Sequence, residues 1–279
     1  MSSSPRVLAV CADDFGLAPG LSRAVLRLAQ AQRLNAISCL TSVAHWRASA
    51  ALLRELPDTV DVGLHFNLTE GEPLSLELRR VWSRFPALPP LIARAHLRAL
   101  PREALRAELV AQWAVFADAV GGEPAFVDGH QHVHHLPLVR ELVLDAVARA
   151  NPRPAIRNTA RVIGPGFAVK RALIAGTGAR ALQRALAQRG IAHNPALVGV
   201  YDFAASDYRS LMQRWLAALP RDGALLFCHP GEPDDCGMPD AIAPARQREA
   251  AYLASDAFGD DLTTADVVLG RVWHTLGSP

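Results

Sequence analysis

The chain has 279 residues, half of them apolar, which is enough for a full globular core and suits a single domain of alternating strands and helices. A net charge of +2, with both signs spread along the length, leaves no basic block or aromatic-basic stripe for nucleic acid. No apolar run reaches the ~18 residues of a membrane span, and "MSSSPRVLAVCADDFG" pairs a short apolar run with immediate aspartates rather than a signal peptide, so a cytoplasmic protein is expected.

"VLAVCA" (7–12) reads as a buried strand, and "GLSRAVLRLAQAQ" (20–32), with apolar spacing of three and four, as a helix. A second strand (36–43), a second helix (45–56) and a third strand, "VDVGLHFNL" (60–68), follow. Residues 71–100, rich in Pro, Leu and Arg, read as a partly helical insertion. Residues 101–121 form a long helix with proline in its first turn and glycine after its end. "PAFVDGHQ" (124–131) is a fourth strand and "LPLVRELVLDAVARA" a helix. A short strand (155–158), a helix (168–189) and a sixth strand (195–203) come next. Ser206 is the expected N-cap of the helix in "SDYRSLMQRWLAALP". "GALLFCHPGE" (223–232) runs from strand into loop, the last helix lies near 245–256, and the tail from 261 carries no assigned element.

Repeated strand–helix units imply a mainly parallel sheet, as a closed or nearly closed β/α barrel, with an open doubly wound sheet as the competitor. No GxGxxG or GxxxxGK[ST] follows a strand, so neither a dinucleotide site nor a phosphate loop is expected. Cys11, Cys39, Cys228 and Cys236 have no paired CxxC spacing and read as small buried thiols in a reducing compartment.

Polar residues collect at strand ends: Asp13-Asp14, His65 with Asn67, Asp128 with His130, Arg157-Asn158, and His229. In a β/α barrel these ends form the catalytic face. Adjacent residues of an extended strand point opposite ways, but at a strand end the backbone can turn both aspartates into one pocket. In "FVDGHQHVHHLP" His130 is nearest the strand end. His132 and His134 read as substrate-facing or as supports behind the ligands, and His135 as solvated loop. One carboxylate and two imidazoles suit a divalent metal with open positions for water. Arg157 reads as a substrate contact or a surface ion pair.

With "ADDFG", "GLHFNLTEG", "VDGHQHVHHLP" and "CHPG" in this order, residues 7 to roughly 257 resemble the YdjC-like carbohydrate deacetylases, typified by chitooligosaccharide deacetylase. A sister branch takes part in hopanoid biosynthesis; "HFNLTEG" and "HQHVHHLP" look more like the chitooligosaccharide side. The resemblance implies an irregular β/α barrel of the glycoside hydrolase/deacetylase type over 1–279, and hydrolysis of the acetamide of an N-acetylated sugar, either chitooligosaccharide-like or a glycolipid precursor. It implies Asp14, His65 and His130 as metal ligands, Asp13 as base and His229 as acid. The implied cofactor is one divalent cation, magnesium by resemblance, with zinc also suited to the donors. A metal-dependent phosphoester hydrolase and a non-catalytic sugar-binding protein are the alternatives, and a homo-oligomer is left open. "PDDCGMPDAIAPARQRE" departs from the pattern, and its Asp234-Asp235 pair reads as solvated.

Overall fold

A computed structural model describes residues 4–234 and 240–274. Its strands are β1 (Arg6–Phe15), β2 (Ala36–Cys39), β3 (Asp61–Phe66), β4 (Phe126–Gly129), β5 (Ala155–Ile156), β6 (Leu197–Val198), β7 (Ala224–Cys228) and β8 (Val267–Leu269). They form one sheet in the order β5-β4-β3-β2-β1-β7-β6, with β8 paired to β1, and every strand pair is parallel. Such strands are covered on both faces, which explains their nearly unbroken apolar runs.

The sheet curls without closing regularly. Between β5 and β6 only single bridges remain, Ile156 to His193 and Val162 to Leu197. The Asn194 side chain spans this gap: its Oδ1 accepts from Asn158 N at 2.7 Å and its Nδ2 donates to Asn158 O at 3.0 Å. The architecture is therefore α/β, a curled parallel half-barrel wrapped by helices.

The helices are α1 (Pro19–Gln30), α2 (Trp46–Ala50), α3 (Leu76–Arg79), α4 (Leu88–His96), α5 (Arg102–Val120), α6 (Val139–Arg149), α7 (Ala168–Ile174), α8 (Arg180–Arg189), α9 (Tyr208–Ala217), α10 (Ala243–Ala254) and α11 (Asp256–Thr264). The insertion holds α3 and α4, and the tail without an expected element holds the end of α11 and all of β8. α5 ends as read, with Gly121 left-handed at φ 81°. Asp207, not Ser206, caps α9; its carboxylate accepts from Ser210 N at 3.0 Å.

The helix expected over 168–189 is broken. A π turn at Ala175–Ala179 separates α7 from α8, with Gly178 at φ 144°. A Cβ at Gly178 would lie 2.1 Å from the His135 carbonyl oxygen, so only glycine permits this approach to the histidine-rich turn. The sixth strand shrinks to two residues for a similar reason. Gly199 sits at φ 111°, and a Cβ there would meet the Phe227 carbonyl oxygen at 2.3 Å. The chain leaves the sheet at once and lays Tyr201 and Phe203 along the barrel mouth. Among the described residues no helix is long and apolar enough to cross a membrane.

Candidate active site

β1 delivers two adjacent carboxylates to one place by means of a bulge. Its pairing with β2 runs Ala12 to Ile37 and then Phe15 to Cys39, so β1 carries one extra residue. Bulges re-aim side chains in this way beside functional sites. Asp14 adopts φ 65°, a left-handed conformation that costs a non-glycine residue on the order of 1–3 kcal/mol. Both aspartates are consequently buried, and both line one cavity of about 1040 Å³.

Two imidazoles converge on Asp14. His130 Nδ1 lies 3.0 Å from Asp14 Oδ1, and His65 Nε2 lies 3.6 Å from the same oxygen. Donor atoms of Asp14, His65 and His130 all fall within 4.8 Å of one another, a grouping able to hold a metal ion. His65 is oriented from behind. Its Nδ1 sits 2.6 Å from Asp128 Oδ1, and Ser38 Oγ donates to that oxygen at 2.5 Å. Binding Nδ1 to a carboxylate directs Nε2 into the site, the usual support for a ligating histidine. Arg246 Nη2 donates to Asp14 Oδ2 at 2.8 Å, leaving Oδ1 toward the histidines. Burial opposes the Asp14 charge, but His130 and Arg246 hold its carboxyl well below the usual range. Burial likewise opposes protonation of His65, and Asp128 outweighs it, pushing the imidazole up to about 10. A cation held by this histidine would have to take the place of a proton.

Asp13 is held by a fork. Arg157 Nη1 donates to its Oδ2 at 2.7 Å and Nη2 to its Oδ1 at 2.6 Å, while the same Nη2 lies 2.5 Å from Asp128 Oδ2. Cys11, Asp13 and Asp128 also cluster tightly enough for a metal, but the guanidinium already supplies their positive charge. Arg157 is 0% exposed and does not line the cavity, which corrects its reading as a substrate contact or surface ion pair. A guanidinium under a barrel floor has to be paired, and these two carboxylates pair it.

β4 ends at Gly129, and the backbone then reverses hand at Gln131 (φ 52°) and His132 (φ 63°). Strand alternation therefore does not govern "HQHVHH". His132 lines the cavity beside Phe227, with ring centroids 5.3 Å apart. His134 is turned inward: its Nε2 lies 2.9 Å from the Arg157 carbonyl oxygen, it is 0% exposed, and it does not line the cavity. That corrects its substrate-facing reading and leaves the other one, a support behind the site. Burial pushes it down to about 4. His135, read as solvated, is buried between Thr159 and Thr177 hydroxyls at 2.8 Å each. The approach at Gly178 brings Thr177 to it. Asp234, also read as solvated, accepts from Gly20 N, whereas Asp235 and Cys236 lie outside the described residues.

His229, after β7, lines the same cavity with its ring edge-on to Phe203 and Phe227 at 5.3 and 5.7 Å. Burial pushes it down to about 4, so it is neutral at pH 7. Three residues of this site carried no local signal in the sequence. Ser38 lies mid-strand, and Arg246 and Glu249 lie on α10, a helix whose site-facing turn cannot be read without its neighbours. Asp128 stood at a strand end, but its partners were hidden.

A sequence model of the YdjC-like protein family matches residues 7–264. A carbohydrate deacetylase of Mus musculus is 31% identical over 273 residues, covering 88% of this chain and 86% of the mouse protein. A chitooligosaccharide deacetylase of Salmonella typhimurium is 37% identical over 150 residues, covering 50% of this chain and 54% of the relative. The chain thus matches about half the length of that bacterial protein. In fold, the chain resembles a solved Enterococcus faecalis V583 protein whose assigned name refers to cellobiose-phosphate cleavage. The TM-score is 0.74 at 17% identity, over 96% of this chain and 98% of the other. With the family match running from the start of β1 to the end of α11, and the mouse relative aligned over most of both chains, this chain belongs to the YdjC-like protein family.

Proposed function

We propose that this protein is a metal-dependent carbohydrate deacetylase that hydrolyses the acetamide of an N-acetylated sugar and releases acetate. The observation that carries the reading is the convergence of Asp14, His65 and His130 beside Asp13 on one cavity floor. The names of the mouse and Salmonella relatives support it.

Asp14, His65 and His130 are the residues that hold the cation, magnesium by family resemblance and zinc by donor type. When bound, a divalent cation polarises the acetamide carbonyl and acidifies a water. Asp13 takes the proton of the attacking water as the new C–O bond forms, and the Arg157 fork keeps its carboxylate aimed. His229 gives a proton to the departing nitrogen as the C–N bond breaks, leaving acetate and a free amine. Because burial keeps His229 neutral at pH 7, the proton it delivers is the one Asp13 has taken from the water, passed to it before the C–N bond breaks. His132 and His135 both line the cavity, and beyond the metal set they are the histidines of the turn placed to touch substrate.

The cavity favours one substrate class. Above the polar floor Leu17, Leu21, Leu88, Ile92, Leu173 and Phe203 give its walls a large apolar share beside polar residues such as Glu70, Lys170 and Gln247. A free chitooligosaccharide would leave this apolar surface wet, whereas a glycolipid precursor covers it with its lipid portion. The buried free thiols of Cys11, Cys39 and Cys228 fit a reducing, cytoplasmic setting.

The test is acetate release from chitobiose, longer chitooligosaccharides and N-acetylated glycolipid precursors, with magnesium and zinc compared. Acetate from the glycolipid at the highest kcat/KM is expected. Phosphate release without acetate would make the protein a phosphoester hydrolase, and binding without release a sugar-binding protein.

A further inference from the structure

Glu249 lies on α10 and is 0% exposed. Burying a carboxylate is costly unless its oxygens are bonded. Here both are bonded to groups at the cavity. Oε2 accepts from the backbone N–H of His229, and Oε1 accepts from the Tyr201 hydroxyl. Among the described residues Glu249 has no ion-pair partner. Burial pushes it up to about 7, so its charge is expensive and its two bonds carry its compensation.

His229 has the complementary need. Its Nδ1 is buried without a hydrogen-bond partner among the described residues, and its ring touches Phe203 and Phe227 edge-on. Among the described residues, therefore, no polar group tethers the ring through Nδ1. What fixes it is its backbone, and Glu249 is the side chain bonded there. Three residues earlier on the same helix, Arg246 holds Asp14. One helix thus locates both a proposed metal ligand and the proposed acid.

We propose that Glu249 is a positioning residue for His229, clamping its backbone N–H while Tyr201 braces the carboxylate from the cavity wall. The proposal rests on the deacetylase reading for its catalytic meaning. Misplacing a proton donor by about 1 Å costs on the order of 100-fold in rate.

Two variants and two readouts test it. In Glu249→Gln the amide oxygen still accepts from His229 and the amide nitrogen donates to Tyr201, so kcat stays near wild type. Glu249→Leu fills the volume without either bond. Its kcat falls about 10- to 100-fold while KM and metal content hold. The second readout is the ring Cε1–H resonance of His229, assigned by its loss in His229→Gln. It shifts in Glu249→Leu, holds in Glu249→Gln, and the His65 and His130 resonances stay in place. An unmoved His229 resonance in Glu249→Leu overturns the proposal whatever the activity, as does equal loss of kcat in both variants. If Glu249→Leu does not fold, Tyr201→Phe, which removes the brace alone, is decided by the same resonance. A wild type that releases no acetate defeats the deacetylase reading, and the resonance comparison still decides the clamp.

Discussion

His65 Nδ1 sits 2.6 Å from Asp128 Oδ1, and the other oxygen of Asp128 faces Arg157 Nη2 at 2.5 Å. One buried carboxylate therefore orients a proposed metal ligand and shares the cation that grips the proposed base. Burial raises the cost of the Asp128 charge, but Arg157 and His65 hold its carboxyl well below the usual range.

Asp128→Asn tests the first half of this relationship. The amide keeps the shape but weakens the pull on the His65 N–H. Loss of such an outer partner typically costs 10- to 100-fold in metal affinity, about the drop expected here. Titrating the chelator-stripped variant with zinc reads it out, with circular dichroism confirming the fold. Wild-type affinity would remove Asp128 from the orienting role.

The metal set is tested by three alanine substitutions. His65→Ala and His130→Ala should lose most bound metal. His132→Ala should keep it, because the left-handed turn at Gln131 and His132 carries that ring away from Asp14 to the cavity wall. Metal content of the purified proteins decides the matter. Full occupancy in either of the first two excludes that residue, and loss in His132→Ala equal to that in His130→Ala means the turn rearranges.

Asp13→Asn should keep its metal and lose turnover by roughly 100- to 10,000-fold, since an amide cannot accept the water proton at neutral pH. It should also lower the melting temperature, because Arg157 keeps only Asp128 as a charged partner. Breaking a buried pair typically costs about 3–5 kcal/mol. Acetate release, metal content and thermal melts are measured together. Near wild-type turnover would exclude Asp13 as the base, and loss of metal would exchange the roles of the two aspartates.

His134 should make the metal-free protein sensitive to acid. In the folded chain burial keeps it neutral down to about 4, against 6.5 for an ordinary histidine. Between those values the unfolded state binds the extra proton, so its contribution to stability is present above pH 6.5 and is lost as pH falls toward 4. His134→Gln should therefore show a shallower decline in urea-unfolding free energy over this window. The limit is about 1.4 kcal/mol per pH unit less steep than wild type. Parallel slopes would show that His134 takes up its proton without unfolding.

Much of the site was legible because parallel β/α topology puts all strand ends on one face. Asp13, Asp14, His65, His130 and His229 stand at such ends in the linear chain, and the structure lines one cavity with them. The apolar runs likewise announced an α/β sheet, since doubly covered strands leave no alternation to misread. What local pattern could not report was partnership. Arg157 meets Asp13 across 144 positions and Arg246 meets Asp14 across 232, distances over which periodicity carries no information. His135 looked like a solvated loop histidine, and His134 shared its reading with His132, until the Gln131–His132 turn and the approach at Gly178 buried both. Residue type and spacing determined which groups reach the barrel mouth. Only tertiary packing decided which of them face the cavity and which lie beneath it, because burying a charge or an imidazole depends on partners that the chain supplies from far away.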